Sequence, residues 1–148
     1  MGASAMDDLI GTWKLASCVM EDVATKEQTA VWGERPNGYL VLTADRRWLV
    51  VQTAQDRQPP HTDADRAAAF RSMLAYSGTY RLDGDEIVVS VDIAWDESWI
   101  GTEQVRQFRI ENGRLHIEAP AQRYANFGDA VMRALLIWER DSEPRKVG

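Results

Sequence analysis

The chain has 148 residues, 45% of them hydrophobic, with 17 Lys plus Arg against 23 Asp plus Glu and a formal charge of −6. That is one domain's worth of chain with enough apolar surface for a core, and too few clustered cations to neutralise nucleic-acid phosphates or to coat a membrane surface. One cysteine, Cys18, excludes an internal disulfide and any multi-thiolate zinc site, and two histidines, His61 and His116, are too few for a His-rich metal centre.

The N-terminus has neither a cationic start nor an apolar stretch, and no apolar run nears the ~20 residues of a membrane span, so the expected location is cytoplasmic. Asp7-Asp8-Leu9-Ile10 reads as a helical turn, followed by a strand from Gly11 to Val23. Gly38 to Thr43 and Trp48 to Thr53, joined by Ala44-Asp45-Arg46-Arg47, read as a hairpin. After the break at Gln58-Pro59-Pro60, Thr62 to Asp65 resembles a capping box with Asp in place of Glu. It opens a helix expected over Asp63 to Ala75, where Ala67, Phe70, Met73 and Leu74 recur at helical spacing. Tyr76 to Leu82 and Glu86 to Trp95 form a second hairpin about Asp83-Gly84-Asp85. Thr102 to Ile110 and Arg114 to Ala119 form a third about Glu111-Asn112-Gly113, and Asp129 to Arg140 is the last long run. Short strands broken by turn residues every 8–15 positions suit an all-β domain over residues 7–140, with flexible ends at 1–6 and 141–148. Closure into a barrel removes the exposed edges of such a meander.

The period of two then sorts the faces. With Lys14 outward, Trp13, Leu15 and Ser17 point in; with Thr79 and Arg81 outward, Gly78, Tyr80 and Leu82 point in. Ile87, Val89, Val91, Ile93 and Trp95 form an apolar inner set, and Leu115 and Ile117 another. Phe108 and Ile110 anchor the inner face of their strand, and the same parity carries Gln104 and Arg106 inside. Trp48, Val50 and Gln52 share a face. The interior is then an aromatic, largely apolar space with a few polar groups, which is what a small-molecule site requires.

Gly11-Thr12-Trp13-Lys14-Leu15 resembles the Gly-x-Trp start of lipocalin and calycin barrels. Together with Gly38-Tyr39-Leu40, Ala68-Ala69-Phe70, Ala75 to Tyr80, Trp99 to Arg106 and Leu136 to Arg140, it is similar to the bacterial lipocalin-like domain family, from about Leu9 to Arg140. The resemblance implies a single antiparallel barrel of eight to ten strands, with an internal pocket and one helix capping a mouth. It also implies hydrophobic ligands and, in natural-product pathways, cofactor-free cyclases, isomerases or hydratases. Family members often carry His at one or both positions matching Val89 and Ser90, and this chain carries none there.

Arg106 and Tyr80 are the candidate catalytic residues. Arg106 is either satisfied by an internal ion pair or backbone carbonyls, or serves as counter-charge to a carboxylate, enolate or phenolate. Tyr80 and Tyr76 are either structural or donors to a developing oxyanion. Trp48, Gln52, Phe70, Tyr76, Val89, Trp95, Trp99 and Gln104 are the expected ligand contacts, the tryptophans alternatively being plain core. Asp92, Asp96 and Glu97 read either as an acid cluster near a mouth or as a solvated strand end. His61 reads as a loop residue or a base at the mouth. No metal and no cofactor is expected. The readings that remain are a cofactor-independent cyclase, isomerase or lyase, and a non-catalytic carrier. The expected partner is a small hydrophobic molecule, without nucleic acid or membrane. Outward Leu49 and Val51, with Val105, point to a homodimer face.

Overall fold

The computed structural model describes residues 5–123 and 129–141. The expected flexible ends lie mostly outside those residues. A short helix α1 (Ala5–Leu9) leads into strand β1 (Gly11–Asp22), followed by β2 (Gln28–Thr29), β3 (Asn37–Leu42) and β4 (Arg47–Thr53). Helix α2 (Asp63–Arg71) precedes β5 (Met73–Asp83) and β6 (Glu86–Ala94). A 3₁₀ turn (Glu97–Trp99) then leads to β7 (Glu103–Glu111), β8 (Arg114–Glu118), β9 (Gln122–Arg123) and β10 (Val131–Arg140).

Eight strands pair antiparallel in the order β1-β3-β4-β5-β6-β7-β8-β10, and β10 closes back onto β1. The short β2 and β9 extend the sheet beside β1 and β10. The expected eight- to ten-stranded barrel with one mouth helix is therefore the fold. Among the described residues, no helix is long and apolar enough to cross a membrane.

Alternation puts Trp48, Val50 and Gln52 of β4 inside and leaves Leu49 and Val51 about half exposed on the outer face. Leu115 and Ile117 of β8 are likewise buried. Two bulges overrule simple parity. The β1–β10 register shifts between Leu15 and Ser17, so beyond Ala16 the inward residues are Cys18 and Met20 rather than the expected Ser17. In β6, Val91 opposes Gly78 and Ile93 opposes Ser77, leaving Asp92 as the extra residue. Ile93, expected inside, is consequently turned outward and is 69% exposed. The Ser77 hydroxyl donates to Asp92 Oδ1 at 2.6 Å and Arg47 pairs with the other oxygen, fixing the bulge from outside. Gly78 sits where β6 comes closest: a Cβ there would stand 2.1 Å from the Ser90 carbonyl oxygen.

The capping box forms as expected, with the Thr62 side chain accepting from Asp65 N and the Asp65 carboxylate reaching back to Thr62 N. The helix ends at Arg71, however, four residues before the expected boundary. Met73, Leu74 and Ala75 join β5 because β4 offers them a ladder, pairing with Thr53, Gln52 and Val51. Cross-strand hydrogen bonds outweigh a helical apolar period only a few residues long.

Candidate functional site

One end of the barrel is solid. Leu9, Trp13, Leu40, Leu42, Ile87 and Leu115 are each at most 1% exposed, and the Trp13 indole donates to the Leu9 carbonyl at 2.9 Å, holding α1 across that end. The other end encloses a cavity of about 520 Å³, walled by side chains from inside the barrel, from α2 and from the turn between β6 and β7. That volume lies in the range of pockets for small organic molecules.

Five rings run from the mouth inward. Phe70 of α2 lies 6.0 Å from Trp95, Trp95 5.1 Å from Trp99, Trp99 5.2 Å from Tyr76, and Tyr76 6.1 Å from Trp48. Such offset and edge-on contacts suit aromatic quadrupoles, and the line offers a faceted aromatic wall to a ligand. The Trp95 indole also donates to the Phe70 carbonyl at 3.3 Å, so the 3₁₀ region holds the helix over the opening.

Polar groups are sparse on this wall. Arg106 enters from β7 by the parity expected of it; its guanidinium donates to its neighbour's carbonyl, Val105 O, at 2.9 Å, and to Gln104 Oε1 at 3.4 Å. No carboxylate pairs with it among the described residues. The guanidinium also faces the hydroxyl of Tyr76, as does the Trp48 indole. Burial pushes the Tyr76 phenol above its ordinary value, against the pull of Arg106, so it remains protonated and can donate. The amide of Gln52, buried at 6% exposure, lines the cavity with no side-chain hydrogen bond among the described residues.

Seven of the ten expected site residues thus share the cavity wall: Trp48, Gln52, Phe70, Tyr76, Trp95, Trp99 and Arg106. Three stand elsewhere. The Tyr80 hydroxyl donates to the Thr43 carbonyl at 3.1 Å, toward the β3–β4 turn and away from the cavity. Val89 is fully buried in the solid core. Gln104 gives its amide to Thr102 Oγ1 at 2.9 Å and its carbonyl to Arg106, so it steadies the arginine instead of facing the cavity. His61 is exposed in the loop before α2, and His116 lies beside Arg109 on the outside of the sheet.

The wall also holds residues that parity missed. Cys18 and Met20 arrive through the β1 bulge, and Trp32 through a loop with no periodicity. Arg71 at the end of α2 and Arg123 of β9 line the cavity, as does Asp96, whose Oδ1 accepts from the backbone and side chain of Ser98. Burial pushes the Cys18 thiol up to about 12, only partly offset by Trp32, which makes it an apolar wall group and not a nucleophile.

Among solved structures, one titled "REP1-NXSQ fatty acid transporter" matches at 13% identity, with 93% of this chain and 99% of that one covered, at a TM-score of 0.43. Comparison with curated proteins gave no match. The lipocalin-like domain profile matches residues 10–141. With that match spanning the whole closed barrel, the chain belongs to the lipocalin-like domain family.

Proposed function

We propose that the barrel takes one hydrophobic small molecule into the cavity beneath α2. The observation that carries this reading is the unbroken line of rings from Phe70 to Trp48 beside an interior space of about 520 Å³. An apolar ligand lying in the angle between Trp95 and Trp99 removes apolar surface from water on both partners, which is the main driving force available here. Titration with flat polycyclic compounds, followed by tryptophan fluorescence, tests it. Saturable one-to-one binding that is lost when Ala134→Phe fills the cavity is the expected result. Binding of equal strength in Ala134→Phe places the ligand elsewhere and removes this reading.

A second reading, a cofactor-independent cyclase, isomerase or lyase, is favoured by one observation: Arg106 and the protonated Tyr76 hydroxyl face each other on a wall that is largely apolar between the inner Gln52 and the charged residues at the mouth. Tyr76 then donates a hydrogen bond to an oxygen of the bound molecule. Arg106 opposes the negative charge that grows on that oxygen as bonds rearrange. Fixed donors in a dry site need no reorganisation during the reaction, and the cavity walls hold a flexible substrate in a reactive shape. A change in the bound compound's mass or chromatographic mobility, lost in Tyr76→Phe while binding persists, separates this enzyme from a carrier.

A further inference from the structure

The described arginines that line the cavity differ from most of those on the outer surface, where Arg57 and Arg140 bond to a hydroxyl or backbone carbonyls and six others find a carboxylate. Arg47, Arg66, Arg81, Arg109, Arg114 and Arg133 each pair with a carboxylate outside the cavity. Arg71, Arg106 and Arg123 line the cavity, and none of them has such a partner among the described residues, although the chain carries six more acids than bases. Among the described residues Asp96 is the one carboxylate on the wall, and its Oδ1 is turned to Ser98, 3.0 Å from N and 2.8 Å from Oγ. Arg71 and Arg123 are exposed to water, whereas Arg106 is half-buried on the wall; its guanidinium keeps its proton at ordinary pH, and within the cavity only Val105 O and Gln104 Oε1 accept from it among the described residues.

A second observation does not depend on charge. Trp48 and Trp138, 2% and 1% exposed, both line the cavity, and neither indole N–H makes a hydrogen bond of ordinary geometry among the described residues, that of Trp48 only facing the Tyr76 hydroxyl. Buried donors nearly always have one. Trp13, equally buried at the solid end, shows the usual outcome, its indole donating to Leu9 O. The unsatisfied indoles are thus confined to the cavity side of the barrel. The Tyr76 hydroxyl, faced by two of these donors, Trp48 and Arg106, has no described acceptor for its own proton.

We propose that the cavity's ligand bears an anionic oxygen group, a carboxylate or an ionised enol or phenol, seated inward on Arg106, Tyr76 and Trp48 with its apolar body in the angle between Trp95 and Trp99. This inference rests on the reading of the cavity as a small-molecule site and narrows it to one ligand class. The donors supply what an oxyanion accepts, and the unpaired guanidinium supplies its counter-charge. Arg71 and Arg123 stand where α2 and β9 border the cavity and add to the positive potential met by an entering anion.

Pyrene-1-carboxylate and its methyl ester share one ring system and differ in charge, and both accept energy from tryptophan. Their dissociation constants are measured by fluorescence on the wild type, Arg106→Met and Tyr76→Phe. Arg106→Met is expected to weaken the acid by about 10- to 100-fold, the weight of a charge-assisted hydrogen bond. The ester should bind Arg106→Met at least as well as it binds the wild type, because a half-buried charge that the ester cannot pair with is replaced by an apolar group. Tyr76→Phe should weaken the acid more than the ester. If Arg106→Met does not fold, Arg106→Lys carries the same comparison, with a smaller loss for the acid alone. If the variants change both compounds equally, or neither, the ligand class is wrong while the cavity reading stands. If neither compound binds the wild type, both fall.

Discussion

The guanidinium of Arg140 lies over the Trp13 indole, its carbon 4.1 Å from the ring centroid. The same side chain donates to the Ile10 carbonyl at 2.9 Å and to that of Asp8, so the last strand clamps α1 and the start of β1. Gly11 makes room for it: a Cβ there would meet Arg140 Nη1 at 2.7 Å, and the backbone has a φ of +134°. The ladder by which β10 closes the barrel and the plug of its solid end are thus joined at one contact between residues 127 positions apart in sequence.

Trp13→Ala is expected to cost about 3–5 kcal/mol, as for other fully buried large aromatics. Arg140→Ala should cost about 1–2 kcal/mol, combining a cation–π contact with hydrogen bonds to backbone. Urea unfolding followed by circular dichroism measures both. Because the contact lies at the far end from the cavity, Arg140→Ala should leave ligand affinity unchanged. An Arg140→Ala protein as stable as wild type would show that the clamp contributes nothing.

Asp92 makes the stability of the barrel sensitive to acid. The Ser77 hydroxyl first, and then the Arg47 guanidinium, hold its carboxyl below the ordinary aspartate value. The unfolded chain therefore takes up this proton at a higher pH than the folded barrel does. The stabilisation is complete above the ordinary aspartate range and is lost as the pH falls through the depressed value. The melting temperature should drop as the pH falls below about 4. Asp92→Asn should melt lower than wild type at pH 7 and show a smaller further drop at pH 3. Equal acid-induced drops in the two proteins would acquit Asp92.

Most of the barrel was legible because it repeats a simple rule. Alternation and turn residues sufficed for the three hairpins, and a single anchored face carried Arg106 into the cavity. Alternation failed where one extra residue entered a strand. Ala16 and Asp92 look like any other small or polar position, and a bulge is selected by its partner strand, so Cys18 and Met20 were missed and Ile93 was misplaced. Tyr80 obeyed the rule and still left the site: parity says which way a side chain points, not at which end of the barrel it lies. The arginines at the mouth were invisible for a different reason. Arg71 and Arg123 border the cavity only because a helix end and a two-residue strand meet there, which no local pattern encodes.

Cys18 offers a probe of the cavity's dryness. With its thiol pushed up to about 12 by burial, roughly one molecule in 10⁴ carries the thiolate at pH 8, and the thiolate is the reactive form. Iodoacetamide should therefore label native Cys18 more than 100-fold slower than the urea-unfolded chain, in which the thiol has its ordinary value near 8.5. A bound ligand should slow labelling further, since Cys18 lines the cavity. Native and unfolded rates within a few-fold of each other would mean that water reaches this wall freely.

Helix α2 is the longest element of the site without a buried residue, and we expect it to open first. None of its residues is buried, so its stability comes from its ends and not from a packed face. The capping box fixes the start. At the other end Arg57 donates to Ser72 Oγ at 3.0 Å and to the Ala69 carbonyl at 2.9 Å, and Trp95 holds the Phe70 carbonyl. A segment with so little buried apolar surface opens locally at far less cost than the barrel unfolds. Its amides should exchange with deuterium orders of magnitude faster than those of β10, whose ladder is shared with β1 and β8. Arg57→Ala should accelerate exchange in α2 alone and raise both the association and dissociation rates of a cavity ligand, with little change in their ratio. Ligand binding should protect α2 through Phe70 and Arg71, the two helix residues on the cavity wall. If α2 exchanges as slowly as β10, or if Arg57→Ala leaves both binding rates untouched, ligand enters by another route and the helix is a fixed cover.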